Sequence, residues 1–218
     1  MKTIQFVETT LRDGHQSLWA TRMKTAHMLP IAPLLDQAGF KSIELMGTVH
    51  FDACLRYLRE DPWERIRLLH KAMPNTPLSA LIRSKSLTSF NIVPDSIIEL
   101  WVQRCAANGI RRLMIFDALH DWNNLSKSVA TAKAAGIEVA VPLVYSLSPV
   151  HTDEFYRQKT AEMIELLDPD IVMIKDSIGL LTPERIKTLV PTIKNEIGDR
   201  SLEMHSHCTT GLATLCCL

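Results

Sequence analysis

No C-x-x-C pair, no apolar run long enough to cross a bilayer and no surplus of either charge occurs in this sequence. Each absence excludes something. Lys plus Arg equals Asp plus Glu, 24 each. Without a basic surplus there is no electrostatic footprint for nucleic acid, and no acidic tail is present. A membrane-spanning helix needs about 20 apolar residues in succession, so no transmembrane segment is expected. The opening Met1-Lys2-Thr3-Ile4-Gln5 turns polar at once and holds no signal-peptide core. The five cysteines, Cys54, Cys105, Cys208, Cys216 and Cys217, are an odd number at irregular spacings. They fit reduced thiols better than a disulfide framework, which predicts a cytoplasmic protein. No Gly/Ser linker, charge block or low-complexity segment marks a second domain, so residues 1–218 are expected to form one.

What is present is enough apolar material for a sizeable core, 46% of 218 residues. It falls into two alternating patterns. Strand-like runs are Ile4–Glu8, Ser42–Met46, Pro77–Ile82, Arg112–Phe116, Glu138–Val144, Ile171–Lys175 and Ser201–His205. Between them, apolar residues recur at three and four over Lys24–Ala38, Pro62–Met73, Pro94–Asn108, Leu125–Ala135, Asp153–Leu167 and Pro183–Ile197, which predicts helices. Pro62, Pro94 and Pro183 suit first turns, and Gly39, Gly109 and Gly136 suit helix ends. Successive strands start roughly 26–38 residues apart, the scale of a βα unit.

A parallel sheet with crossover helices follows. No Gly-rich turn succeeds the first strand, which argues against a dinucleotide-binding doubly wound sheet. A TIM (β/α)8 barrel needs eight strands and typically about 250 residues. Seven strands are legible, and Gly211–Leu218 reads as the start of the next helix. The expected fold is α/β, a TIM-type barrel lacking its eighth βα unit. Strands one and seven would then present bare edges.

Three places carry residues suited to chemistry. His205 and His207 are two apart on a strand end, so their imidazoles share a face. That spacing suits one metal ion, and equally suits two exposed polar side chains. Asp13, in Thr10-Leu-Arg-Asp-Gly-His-Gln16, offers a hard oxygen ligand, or caps a helix or pairs with Arg12. Lys175 follows an apolar run in Ile174-Lys-Asp176. It pairs with Asp176, or, with a lowered pKa, its amine adds carbon dioxide and becomes a carbamate ligand. The strand ends of a barrel converge on one mouth, and there Asp, carbamate and two His would make an N/O set suited to Zn, Mn or Co.

The segment Glu8-Thr-Thr-Leu-Arg-Asp-Gly-His-Gln-Ser-Leu-Trp-Ala-Thr-Arg-Met-Lys-Thr25 resembles the opening of the biotin-dependent pyruvate/oxaloacetate carboxyltransferase domain. That domain occurs in pyruvate carboxylase, the alpha subunit of oxaloacetate decarboxylase and transcarboxylase. Arg56-Tyr-Leu-Arg-Glu-Asp-Pro-Trp-Glu-Arg-Ile-Arg67, Leu81-Ile-Arg83, Ile115-Phe-Asp117, Ile174-Lys-Asp-Ser-Ile-Gly-Leu-Leu181 and His205-Ser-His207 resemble the same family in the same order. The resemblance implies that Asp13, Lys175 as carbamate, His205 and His207 bind the metal. It implies that Gln16 orients the pyruvate carbonyl or enolate, and that Arg83 pairs with the substrate carboxylate. The implied reaction moves a carboxyl group between carboxybiotin and pyruvate; reversed, it decarboxylates oxaloacetate. No Met-Lys-Met biotin-attachment signal occurs, so a biotin carrier domain or subunit elsewhere is implied, as is a homo-oligomer in full-length form.

The chain departs from that family in three places. It has Gly47-Thr-Val-His50 where Gly-Gly-Ala-Thr is usual, Ser84-Lys-Ser86 after Arg83 where Gly-Ala-Asn is usual, and Cys208 after His207 where Asp is usual. His50 reads as a site residue or a surface histidine at a helix start, and Cys208 as a small buried side chain. Trp19, Trp63, Trp101 and Trp122 read as packing residues. Two rivals remain: a metal-dependent aldol-type lyase or synthase acting on 2-oxo acids or acyl-CoA, and an inactive fragment.

Overall fold

The computed structural model describes residues 4–83, 85–87 and 91–218. Ser84, part of one departure above, lies outside them. Seven strands occur in the order β1 Val7–Glu8, β2 Ser42–Gly47, β3 Leu78–Arg83, β4 Ile110–Phe116, β5 Glu138–Val144, β6 Ile171–Asp176 and β7 Ser201–Ser206, and strand order follows chain order. Helices separate them: α1 His15–Trp19, α2 Thr25–Met28, α3 Ala32–Gln37, α4 Thr48–Ala53, α5 Pro62–Ala72, α6 Asp95–Asn108, α7 Asn123–Ala134, α8 Asp153–Leu167, α9 Pro183–Ile197 and α10 Ala213–Cys217. This is the succession of a (β/α)8-type barrel through seven strands and the beginning of the next helix. Two compact units divide it, Met1–Met114 with Thr131–Glu138, and Ile115–Ala130 with Val139–Leu218.

In the first unit β1 pairs with β2 and β2 with β3, all parallel. Every residue of β2 is buried, as expected of a strand covered on both faces. The predicted first strand shrinks to two residues. Ile4 and Phe6 are 68% and 71% exposed, so apolar content there does not bring burial. The predicted helix over 24–38 breaks into α2 and α3. Pro30 falls in the interruption and cannot donate a backbone hydrogen bond, while Pro33 sits in the first turn of α3, where no donor is needed. The α5 cap forms through its own side chain: Asp61 accepts from the Trp63 amide at 2.8 Å, with Pro62 opening the helix. α6 ends on Gly109 at φ 114°. A Cβ there would lie 2.5 Å from His70 Cγ, so only glycine fits.

In the second unit β5 pairs with β6 and β6 with β7, again parallel. All six residues of β6 are buried, whereas no residue of β7 is. α8 and α9 begin on Thr152 and Thr182, whose hydroxyls accept from the Phe155 and Arg185 amides, both at 3.2 Å. α9 continues past Pro191, which lies exposed.

Candidate active site

Asp13 owes its place to a turn that periodicity does not reveal. Thr10–Gly14 forms one π-helical turn. The amides of Arg12, Asp13 and Gly14 converge on the Thr9 carbonyl at 3.1, 2.8 and 3.1 Å. Single π turns are rare and concentrate at functional sites. Arg12 braces this one. Its Nε and Nη2 donate to Glu44 Oε2 at 2.8 and 2.6 Å, and its Nη1 donates to Asp13 Oδ1 at 2.7 Å. Arg12 is 3% exposed and Glu44 4%. Such a buried pair contributes little net stability while intact, but losing one partner strands a charge. The Arg12–Asp13 pairing foreseen from the sequence therefore exists, and it fixes one carboxylate oxygen of Asp13.

Beneath the turn lie two buried histidines. His50 Nδ1 accepts from the Gly47 amide at 3.1 Å, and His50 Nε2 lies 2.9 Å from the Arg12 carbonyl oxygen. These partners assign the proton to Nε2. The His15 ring meets His50 edge to face at 4.7 Å. Burial, then the neighbouring His15, lowers the His50 pKa to about 3. Burial, then the Arg65 guanidinium, lowers that of His15 to about 4. Both rings are neutral near pH 7. His50 is thus no surface histidine; it is fully enclosed. In the same unit Gln16 lies exposed on α1, and Arg83 ends β3 half-buried, its carbonyl accepting from the Ser86 amide at 2.9 Å.

The second unit holds the other three predicted ligands together. Lys175 and His205 are register partners across β6 and β7. In a parallel ladder such partners project to the same face, and His207, two residues on, projects with them. The His205 and His207 rings are 5.3 Å apart, and each offers a nitrogen within 4.8 Å of the other's. Lys175 is 6% exposed.

Asp176, which sequence reasoning offered only as a partner for Lys175, performs a different task. Its carboxylate accepts from the amides of Gly179, Leu180 and Leu181 at 2.8, 3.0 and 2.9 Å, and from Ser206 Oγ at 3.3 Å. Its carbonyl accepts from the His207 amide at 3.0 Å. It ties the loop after β6 to the end of β7 and so fixes where His207 emerges. Gly179 permits the approach: at φ +78° a Cβ would lie 2.3 Å from the His207 carbonyl oxygen.

Other expectations shift. Cys208 is exposed rather than buried. Trp19 is 50% exposed, its ring meeting that of His27 edge to face at 5.9 Å, whereas Trp101 and Trp122 are buried. A cavity of about 640 Å³ in the second unit, lined by His120, Trp122, Lys159 and Glu162 among others, includes none of the predicted site residues.

With this geometry in place, comparison with known proteins is specific. No family model matches the chain. It is 47% identical over 212 residues to a pyruvate carboxylase subunit of Methanocaldococcus jannaschii, covering 97% of this chain and 37% of that protein. It is 35% identical to the methylmalonyl-CoA carboxyltransferase 5S subunit of Propionibacterium freudenreichii subsp. shermanii, covering 97% and 42%. Among solved structures, the carboxyl transferase domain of Rhizobium etli pyruvate carboxylase with pyruvate and biocytin superposes at TM-score 0.90 with 30% identity, over 97% of this chain and 37% of that one. A single-substitution variant of Rhizobium etli pyruvate carboxylase with the allosteric activator acetyl coenzyme-A superposes at TM-score 0.93 with 30% identity, over 99% and 22%. The class is an α/β barrel of the carboxyltransferase type. Along nearly its whole length the chain is similar to carboxyltransferase proteins such as the pyruvate carboxylase subunit and the 5S subunit, and it spans well under half the length of either.

Proposed function

We propose that residues 1–218 supply, as one barrel-type domain without its eighth βα unit, the metal and substrate residues of a biotin-dependent carboxyltransferase. The reaction moves a carboxyl group between carboxybiotin and the methyl carbon of pyruvate, and in reverse takes it from oxaloacetate. Biotin arrives on another domain or subunit, and the full assembly is homo-oligomeric and cytoplasmic. The observation that carries the reading is the Lys175–His205 register with His207 on the same face.

The donor set fits a divalent ion such as Zn, Mn or Co. Two imidazoles, the Asp13 carboxylate and a Lys175 carbamate are nitrogen and oxygen ligands of the right kind. When bound, the metal supplies Lewis acidity that polarises a carbonyl and stabilises an enolate. Lys175 becomes a ligand only after modification. In its neutral form the Lys175 amine adds through its lone pair to the carbon of carbon dioxide while a proton leaves to water. The guanidinium fork of Arg83 holds the substrate carboxylate. Gln16 donates from its amide to the carbonyl oxygen and orients it. Arg12 and Glu44 hold the Asp13 carboxylate in place throughout.

Elemental analysis tests the reading. Replacement of His207 by Ala should sharply lower the divalent metal that copurifies with the chain. Equal metal content in parent and variant would overturn the shared-ligand assignment.

A further inference from the structure

We infer that His50 is a positioning residue: it grips the Arg12 carbonyl and so fixes the turn that presents Asp13. This rests on the metal reading above, since Asp13 matters as a ligand only there.

Three of the bonds that hold Arg12 tie it to β2 or to the helix that follows it. Two come from the guanidinium to Glu44, in the middle of β2. The third is at the backbone, where His50, in the first turn of α4, donates to the Arg12 oxygen at 2.9 Å. The same oxygen accepts from the His15 amide at the end of the π turn. A carbonyl has two lone pairs, and both are thereby engaged. Guanidinium contacts alone fix where the Arg12 side chain lies. The carbonyl contact fixes how its peptide is rotated, and the next residue along is Asp13. An extra hydrogen bond at that peptide therefore controls the direction in which the Asp13 side chain leaves the backbone.

Histidine suits the task because one rigid ring bonds at both ends. Nδ1 caps its own helix by accepting from Gly47, while Nε2 reaches the turn. The space is tight: a Cβ at Gly47 would meet His50 Nδ1 at 3.2 Å. His50 has no solvent exposure, so no water competes for either bond. Its side chain points into the first loop and is buried with His15 at 4.7 Å.

The two ends of the ring can be separated by substitution. In His50→Asn the side-chain oxygen stands in for Nδ1, so the helix cap persists and the grip on Arg12 is lost. In His50→Gln the amide nitrogen reaches where Nε2 was, so the grip persists and the cap is lost. Cobalt(II) added to the metal-stripped chain gives a visible ligand-field absorption, and its titration reads affinity independently of turnover. Melting temperature reads the fold. Residues that orient a metal ligand typically change metal affinity by about 10- to 100-fold. We expect His50→Asn to weaken cobalt binding by at least about 10-fold and His50→Gln to bind nearly as the parent does, although both lose one bond. Equal affinity in Asn and parent, or affinity that falls in both variants in step with melting temperature, would overturn the positioning role. Asp13→Ala separates the two readings. If it abolishes cobalt binding while His50→Asn does not, only the role of His50 fails. If Asp13→Ala leaves cobalt binding unchanged, the metal reading fails and the role of His50 with it.

Discussion

Lys175 and His205 face each other across the β6–β7 ladder as direct register partners. A buried ammonium opposite an imidazole that should accept a cation would be a poor metal site. A carbamate at the same position would be a good one. Metal affinity should therefore depend on carbon dioxide. Cobalt binding by chain prepared in carbon dioxide-free buffer is expected to be weak, and to recover on adding bicarbonate. The variant Lys175→Met, which fills the space without a nucleophile, should bind weakly in both buffers. Bicarbonate-independent binding by the parent would remove the carbamate from the ligand set.

Glu44 tests the brace on Asp13. Removing one partner of a buried ion pair costs about 3–5 kcal/mol, because the other charge is left without compensation. Glu44→Leu leaves the buried Arg12 guanidinium with Asp13 as its one remaining carboxylate partner among those described, and should destabilise by up to about that order in urea unfolding. Restoring neutrality with Arg12→Met in the same chain should recover much of the loss. A double variant no more stable than Glu44→Leu would show that the pair is not coupled.

How much of this was legible beforehand follows from what each feature depends on. α8 and α9 stand where periodicity placed them, because an amphipathic stripe and a threonine cap are local properties. The π turn over Thr10–Gly14 was not legible. It is held by Arg12 reaching Glu44, 32 residues away, and by His50 reaching back 38, and such bonds leave no periodic trace. Glu44 did carry a signal: a carboxylate inside the apolar run Ser42–Met46 needs a partner. His50 stood out only as part of the departure at Gly47–His50, and its burial was not legible, since a histidine early in a helix reads the same whether exposed or enclosed. The role of Asp176 was hidden for a similar reason, as its three amide partners lie in a loop whose path the sequence does not specify.

Gly179 sets the distance between that loop and His207. A left-handed backbone costs a residue with a side chain about 1–2 kcal/mol, and at Gly179 the added carbon would also meet the His207 carbonyl. Gly179→Ala should lower stability by at least that amount. It should also weaken metal binding, because the backbone that must give way carries a ligand. A variant destabilised but unchanged in cobalt affinity would show that the loop does not position His207.

His120 predicts an acid limit. It is buried at a positive φ of 58°, and its Nε2 accepts from the Val144 amide at 2.9 Å. Burial first, then His151 and Lys159, lower its pKa to about 4 from 6.5, against the opposing pull of Asp117. The unfolded chain therefore binds the proton more readily. Its contribution to stability is complete above pH 6.5 and is lost progressively as pH falls toward 4, on the order of 3 kcal/mol in all. His120→Gln keeps an acceptor for Val144 and does not titrate. Its urea midpoint should fall less steeply than the parent's between those limits, and parallel curves would show that His120 is not the group responsible.

Arg83 closes β3 half-buried, where a guanidinium can meet a small carboxylate without losing all contact with water. Its proposed task is geometric as much as electrostatic. Two parallel N–H groups match two carboxylate oxygens, whereas an ammonium of equal charge is a point donor on a flexible stem. Hydrogen bonds to charged groups contribute about 1.5–3 kcal/mol each, so losing one of two should weaken binding about tenfold or more. Arg83→Lys should therefore bind pyruvate at least about tenfold more weakly by calorimetry on metal-loaded chain, with cobalt affinity unchanged. Arg83→Ala should bind pyruvate more weakly still. If Lys serves as well as Arg, charge alone suffices and the bidentate role is wrong; if Ala serves as well, Arg83 has no part in the site.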